Sequence, residues 1–302
     1  MRRTALIFGV LTLMGASWAH GAASVTVMDD SNTPVALSPV PQRIVSLLPS
    51  LTESVCALGS CGKLVGVDRY SNYPVQVQAL PIVGGGLDPN IEAITALKPD
   101  LVLVAASGPG THRLRALGLR VLALEPKDYA NAIRVLRLLG QVLAVDTASS
   151  VVQAMESDMR AAVSQVPPIA RGKRVYFEVS PGPYAAGASS FLGQTLERLG
   201  LQNIVPGSMG PFPKLNPEFV VRAQPDLVLI GDSNADAMRS RPGWASLEAL
   251  QSGRVCAFNQ EEANILVRAG PRMAQGAALV ARCLQTVYGD AAASAKNRKL
   301  AP

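Results

Sequence analysis

Asn90-Ile91-Glu92 followed by Lys98-Pro99-Asp100-Leu101-Val102-Leu103 returns in the chain as Asn216-Pro217-Glu218 followed by Gln224-Pro225-Asp226-Leu227-Val228-Leu229, with the same internal spacing. Asn suits a helix N-cap, Pro217 takes a first helical position where a missing N–H costs nothing, and each Glu stands beside the positive end of a helix dipole. The proline seven residues after each Glu disfavours helix at the residue before it, and Asp-Leu-Val-Leu then opens an apolar strand of the buried parallel kind. The unit therefore reads helix, sharp stop, strand. Two copies so far apart belong to separate lobes and not to neighbouring blades of a repeat array.

Working outward, Arg43-Ile44-Val45-Ser46-Leu47 and Arg174-Val175-Tyr176-Phe177-Glu178 both read as strands. Each precedes a helix ending on Leu-Gly, at Leu58-Gly59 and Leu199-Gly200, where glycine supplies a left-handed cap. Short apolar stretches follow at Leu64 to Val67 and Asn203 to Val205. After the shared unit come final strands at Arg120 to Leu124 and Arg254 to Phe258. Alternating strands and helices predict an α/β fold with two lobes, each a small parallel sheet flanked by helices and connected in the right-handed sense. Thr147 to Val166 carries neither Gly nor Pro and repeats Val151, Val152, Met155, Met159 and Val163 at helical spacing, so one long helix joins the lobes until Pro167-Pro168 stops it. At 1.5 Å per residue it spans about 30 Å, a stiff rod that favours small closure over a wide hinge swing.

Arg2-Arg3, the apolar run from Ala5 to Trp18 and small residues at Ala19 to Ala23 read as a secretory signal over residues 1–23. With no cysteine near the cleavage site to carry a lipid, a soluble protein of the periplasm is expected. The domain plan that follows is 24–145 for the first lobe, 146–168 for the connecting helix, 169–290 for the second lobe and 291–302 for a flexible tail, with each lobe large enough to bury its own core. The formal charge of the 302-residue chain is +6. Removing Arg2, Arg3, Lys296, Arg298 and Lys299, which lie in the signal and the tail, leaves about +1 for the body, so a nucleic-acid or membrane-surface role has no basic face to rest on.

Four cysteines in an exported chain allow three pairings. Cys56 with Cys61, across a helix end, and Cys256 with Cys283, strand to final helix, are favoured, and the second bridge is worth roughly 3 kcal/mol in the chain-entropy model. A metal site competes poorly, because there is no Cys-x-x-Cys pair and His112 is the one histidine in the body. The same scarcity argues against Ser-His-Asp catalysis, and Gly187-Ala188-Ser189-Ser190 fails the nucleophile-elbow pattern at its last position. An exported α/β enzyme remains the alternative to a receptor, and an adhesion module without a cleft is a third class. No catalytic residue, resident metal or cofactor is assigned.

Pro41-Gln42-Arg43-Ile44-Val45-Ser46-Leu47 with Pro49-Ser50-Leu51-Thr52-Glu53, then Val65-Gly66-Val67, Tyr70-Ser71-Asn72-Tyr73-Pro74, the first copy of the unit, and Arg268-Ala269-Gly270-Pro271-Arg272 resemble the periplasmic substrate-binding proteins that serve ABC importers of cobalamin and iron siderophores. The likeness covers nearly all of the chain after the signal. It implies a monomer that takes a corrinoid or other metal chelate between its lobes and meets the membrane only through the importer's permease, with Glu92 and Glu218 as the carboxylates that meet permease arginines. Ligands of open parallel sheets sit beyond the carboxyl ends of the strands. The loops there make Ser50, Thr52, Tyr70, Tyr73, Gly85, Gly86, Tyr184, Phe212, Asn264 and Arg268 the candidate ligand-facing residues, with Tyr70 and Phe212 foremost because flat rings give large contact area at low entropy cost. Arg268 either faces an anionic group of the ligand or pairs with Glu261 or Glu262, and Arg272 is structural. The chain departs from cobalamin binders of this family where tryptophans are common: those places read Gly84-Gly85-Gly86 and Ala105-Ala106. A different corrinoid, a siderophore or haem stays in play.

Overall fold

In the computed structural model the protein is described over residues 25–180, 182–231 and 235–298. The first lobe runs β1 (Val25–Met28), β2 (Pro34–Leu37), β3 (Ile44–Ser46), α1 (Pro49–Ala57), β4 (Leu64–Val67), α2 (Ile91–Ala96), β5 (Leu101–Val104), α3 (Thr111–Ala116), β6 (Val121–Ala123) and α4 (Tyr129–Leu143). Helix α5 (Ala148–Ser164) leads to β7 (Arg174–Ser180), β8 (Tyr184–Ala185), α6 (Phe191–Arg198), β9 (Gln202–Asn203), α7 (Pro217–Ala223), β10 (Leu227–Gly231), α8 (Ala235–Arg239), α9 (Glu248–Gln251), β11 (Val255–Phe258), α10 (Gln260–Leu266) and α11 (Met273–Arg298). The first sheet is parallel with order β4-β3-β5-β6. The second repeats it as β9-β7-β10-β11, and β8 adds an antiparallel segment on the far end of the β7 edge that β9 occupies.

The repeated unit folds alike in both lobes. The Asn90 side-chain oxygen accepts from Ala93 N–H and that of Asn216 from Glu218 N–H, so each short helix satisfies an otherwise unpaired first-turn donor. Lys98 and Gln224 then take left-handed conformations, with φ of 47° and 43°, immediately before the proline. Asp100 accepts the Arg43 N–H at 3.0 Å and Asp226 the Arg174 N–H at 2.8 Å, locking the strand of the unit beside the strand that opens each sheet.

Strand alternation sorts the side chains into layers. Leu101 and Leu103 on β5, and Leu227 and Leu229 on β10, face inward to one apolar cluster that also holds Val152, Met155 and Met159 of α5, Leu136 and Leu139 of α4, and Val280 and Leu284 of α11. Val102 and Val104 turn outward beneath α2 and α3, while Val228 and Ile230 pack with Val220, Trp244 and Leu250. The expectation of one separate core per lobe is thus corrected: the inner faces of both sheets share a single helical layer, and only the outer faces have cores of their own.

Helix α5 is 17 residues long, with Thr147 as its N-cap and Gln165 closing it, so the rod spans about 25 Å and not 30. Helix α11 packs along it and continues to Arg298, past residue 290 where the sequence reading ended the second lobe. The hairpin β1–β2 was not anticipated; it places Val27, Val35 and Leu37 in the shared core. Both favoured disulfides, Cys56–Cys61 and Cys256–Cys283, are formed. The signal at 1–23 lies outside the described residues, and no helix among them is long and apolar enough to cross a membrane.

Candidate functional site: a cleft at the carboxyl ends of the strands

Loops leaving the carboxyl ends of β3, β4, β5 and β6 converge with the start of α6 and the α10–α11 connection around a cleft of about 560 Å³. That is an ordinary size for a small-molecule site. Leu47, Leu48, Pro49 and Ser50 line it from the first loop, Asp68, Tyr70 and Gly86 to Asp88 from the second, Ala105 and Ser107 from the third, and Glu125 and Pro126 from the last. The second lobe contributes Phe191, Asn264, Val267, Arg268 and Ala269.

Five of the ten residues expected to face ligand meet here: Ser50, Tyr70, Gly86, Asn264 and Arg268. Tyr70 is 62% exposed, a ring presented at the mouth by a loop pinned at both ends, its own N–H given to Asp68 and its carbonyl accepting from Arg268. Gly86 lets the backbone come close, since a Cβ there would stand 3.0 Å from the Leu47 carbonyl oxygen.

The other five do not line this cleft. Thr52 is fully buried, and its hydroxyl sits 2.9 Å from that of Ser46 and 2.8 Å from that of Ser71, so it supports the Tyr70 loop from beneath and cannot touch a ligand. Tyr73 lies under the Arg272 guanidinium, 3.9 Å from its ring centre. Gly85 spends its N–H on Asp88 O. Tyr184 is on β8 with Lys214 above its ring. Phe212, itself exposed, packs edge-on at 6.0 Å against Phe191, a buried ring in the cleft wall.

Arg268 does line the cleft, but its partners differ from both expected ones. Its terminal nitrogens donate to Glu53 Oε1, Asn72 Oδ1 and Tyr70 O, each at 2.8 Å. Arg272 binds the same Glu53 through both carboxylate oxygens. All three charged side chains are buried, and neither Glu261 nor Glu262 takes part; Glu262 completes the capping box of α10. Asp68 is buried beside this group. Desolvation pushes its carboxyl above the usual range, opposed by the Ser71 hydroxyl, the Tyr70 N–H and the Arg268 charge.

The sequence profile of the periplasmic binding protein family matches residues 44–261. The chain belongs to that family. This periplasmic binding protein is 30% identical to an uncharacterised ABC transporter substrate-binding lipoprotein of Bacillus subtilis over 278 residues, 88% of this chain and 86% of that one. Its fold is similar to the periplasmic vitamin B12 binding protein BtuF of Vibrio cholerae, with TM-score 0.67 and 27% identity over 82% of this chain and 98% of that one. It is also similar to a periplasmic haem binding protein from Pseudomonas aeruginosa, with TM-score 0.72 and 26% identity over 82% and 93%. Members of the family are solute-binding components of importers.

In the present periplasmic binding protein Glu92 and Glu218 are both exposed in the first turns of α2 and α7. Each helix runs back into its sheet, so each begins at the carboxyl edge, the edge on which the cleft opens. Glu92 has Arg113 at 3.9 Å as a loose surface neighbour, an arrangement worth little in water. Asp68, Glu125 and Phe191 are among the cleft residues that sequence reasoning passed over. Glu125 follows the last strand of the first sheet, and the rule that ligands sit beyond strand ends applies to that loop as well.

Proposed function

We propose that the protein is exported to the periplasm, captures a metal chelate between its lobes, a corrinoid first and a ferric siderophore or haem next, and delivers it to an inner-membrane ABC permease. The observation that carries this reading is the cleft itself, with loops of both lobes around one mixed apolar and polar hollow and the Tyr70 ring at its mouth. Tyr70 offers flat contact area, while Ser50, Ser107 and Asn264 are polar groups of the kind that fix orientation. Glu92 and Glu218 are the docking contacts in this reading: two like charges, one per lobe, orient the encounter with permease arginines more than they add affinity.

Isothermal calorimetry of the mature protein against cobinamide, cyanocobalamin, haem and a ferric siderophore tests the first half, with at least one tight partner expected. Tyr70→Ala weakens that partner at least tenfold, and an unchanged affinity places the ligand elsewhere. Glu92→Arg combined with Glu218→Arg abolishes uptake in cells while leaving the calorimetric affinity intact; lost affinity would count against the docking role.

A further inference from the structure

We propose that the cleft selects its ligand by charge, with Glu125 as the specificity-determining residue: it favours neutral or cationic ligands rich in N–H donors, such as the amide-fringed corrinoids, over ligands that bring free carboxylates. This rests on the cleft being the ligand site, as in the reading above.

The argument is a pairing of charges. The charged side chains that line the cleft are Asp68, Asp88, Glu125 and Arg268. Arg268 is the sole cation among them, and it is unavailable to a ligand anion because Glu53, Asn72 and the Tyr70 carbonyl occupy its terminal nitrogens. Arg268 and Arg272 are matched by Glu53 and the neighbouring Asp68, and Asp88 is matched by Arg69 at 2.5 Å. Glu125 is left over. Its two oxygens accept from the Ser107 N–H at 2.9 Å and the Ser107 hydroxyl at 2.8 Å, both neutral donors, and no ion pair forms to it among the described residues. A carboxylate held only by neutral donors has no countercharge beside it and has lone pairs to spare.

Inside a cleft, where water screens less than in bulk, such a group repels a second carboxylate and accepts strongly from an amide N–H. Discrimination against the wrong ligand then comes from an unfavourable contact as much as from a good one. A corrin ring carries a peripheral set of carboxamides, each with two donors, whereas haem carries two propionates. With no free cation among the described residues that line the cleft, those propionates meet Glu125 and the acidic side of the cleft.

The experiment separates charge from shape. Affinities of wild type and Glu125→Gln are measured by calorimetry for cobinamide, for cobyric acid, which keeps the corrin ring and carries one free carboxylate, and for haem. Glutamine retains the length of the side chain and both contacts to Ser107, accepting from its N–H and donating to its hydroxyl, so the variant is expected to fold. Wild type is expected to bind cobinamide at least tenfold tighter than cobyric acid or haem, and Glu125→Gln to narrow each gap at least fivefold. Equal affinities in wild type, or gaps that the substitution leaves unchanged, would overturn the proposal alone. No binding of any of the three by wild type would overturn it, and if a ferric siderophore also fails to bind, the reading beneath it falls too.

Discussion

Asp68 is one side chain that both holds the Tyr70 loop and, through its burial, couples that loop to pH. It receives the Tyr70 N–H at 2.8 Å and the Ser71 hydroxyl at 2.5 Å, so it fixes the turn that presents the Tyr70 ring. Burial raises its pKa above the ordinary 3.8, which means the folded state holds the proton more tightly than the unfolded chain does. For such a group the stabilising contribution is complete below 3.8 and is lost as pH rises through the raised folded value. Asp68→Asn removes that titration and keeps an acceptor for Tyr70. The variant is therefore expected to gain stability relative to wild type as pH climbs from 3.8 into the weakly acidic range, after which the difference is constant. Urea denaturation of both proteins across that range checks the sign; a difference that moves toward wild type with rising pH would show that the hydrogen bonds and Arg268 outweigh burial.

Among the elements, β11 is the exposed edge of the second sheet, and an edge strand has hydrogen bonds on one side only. Cys256–Cys283 ties it to α11 across 27 positions of sequence. In the chain-entropy model a loop of that length is worth about 3 kcal/mol, so Cys256→Ala with Cys283→Ala should lower unfolding free energy by about that amount. A loss below about 1 kcal/mol would mean that packing of β11 on α11 holds the edge without the bridge. Elements of this kind were legible in the sequence where the signal is local. The Asn caps, the proline stops and the apolar strand runs identify α2 with β5 and α7 with β10, and the cysteines stand on elements whose ends are visible. What stayed hidden depends on distant partners. Arg268 finds Glu53 215 positions away, so no spacing rule could choose it over Glu261 or Glu262. Strand β8 is two residues long and carries no alternation to read, and the packing of Phe212 against Phe191 is a tertiary matter that no local pattern announces.

At the scale of the molecule, the two lobes are joined twice. The shared apolar layer of α4, α5 and α11 backs both sheets, and on the cleft side Glu53 of the first lobe holds Arg268 and Arg272 of the second. Separating the lobes would expose the first and break every charged hydrogen bond of the second, so both contacts resist a wide hinge motion and couple the lobes in unfolding. Glu53→Gln keeps the shape and removes the countercharge of two guanidiniums. Breaking a buried pair from one side costs about 3–5 kcal/mol, and that loss is expected here. Scanning calorimetry gives the sharper test, because a shared core requires one transition in which calorimetric and van't Hoff enthalpies agree. If instead wild type melts in two steps, with one lobe surviving the other, the common layer is not what holds them and the rod acts as a tether. If wild type melts in one step and Glu53→Gln in two, the charge cluster at the cleft floor is the contact that makes the lobes a single unit, and the position of Arg268 beneath the Tyr70 loop then ties the stability of the whole to the geometry of the cleft.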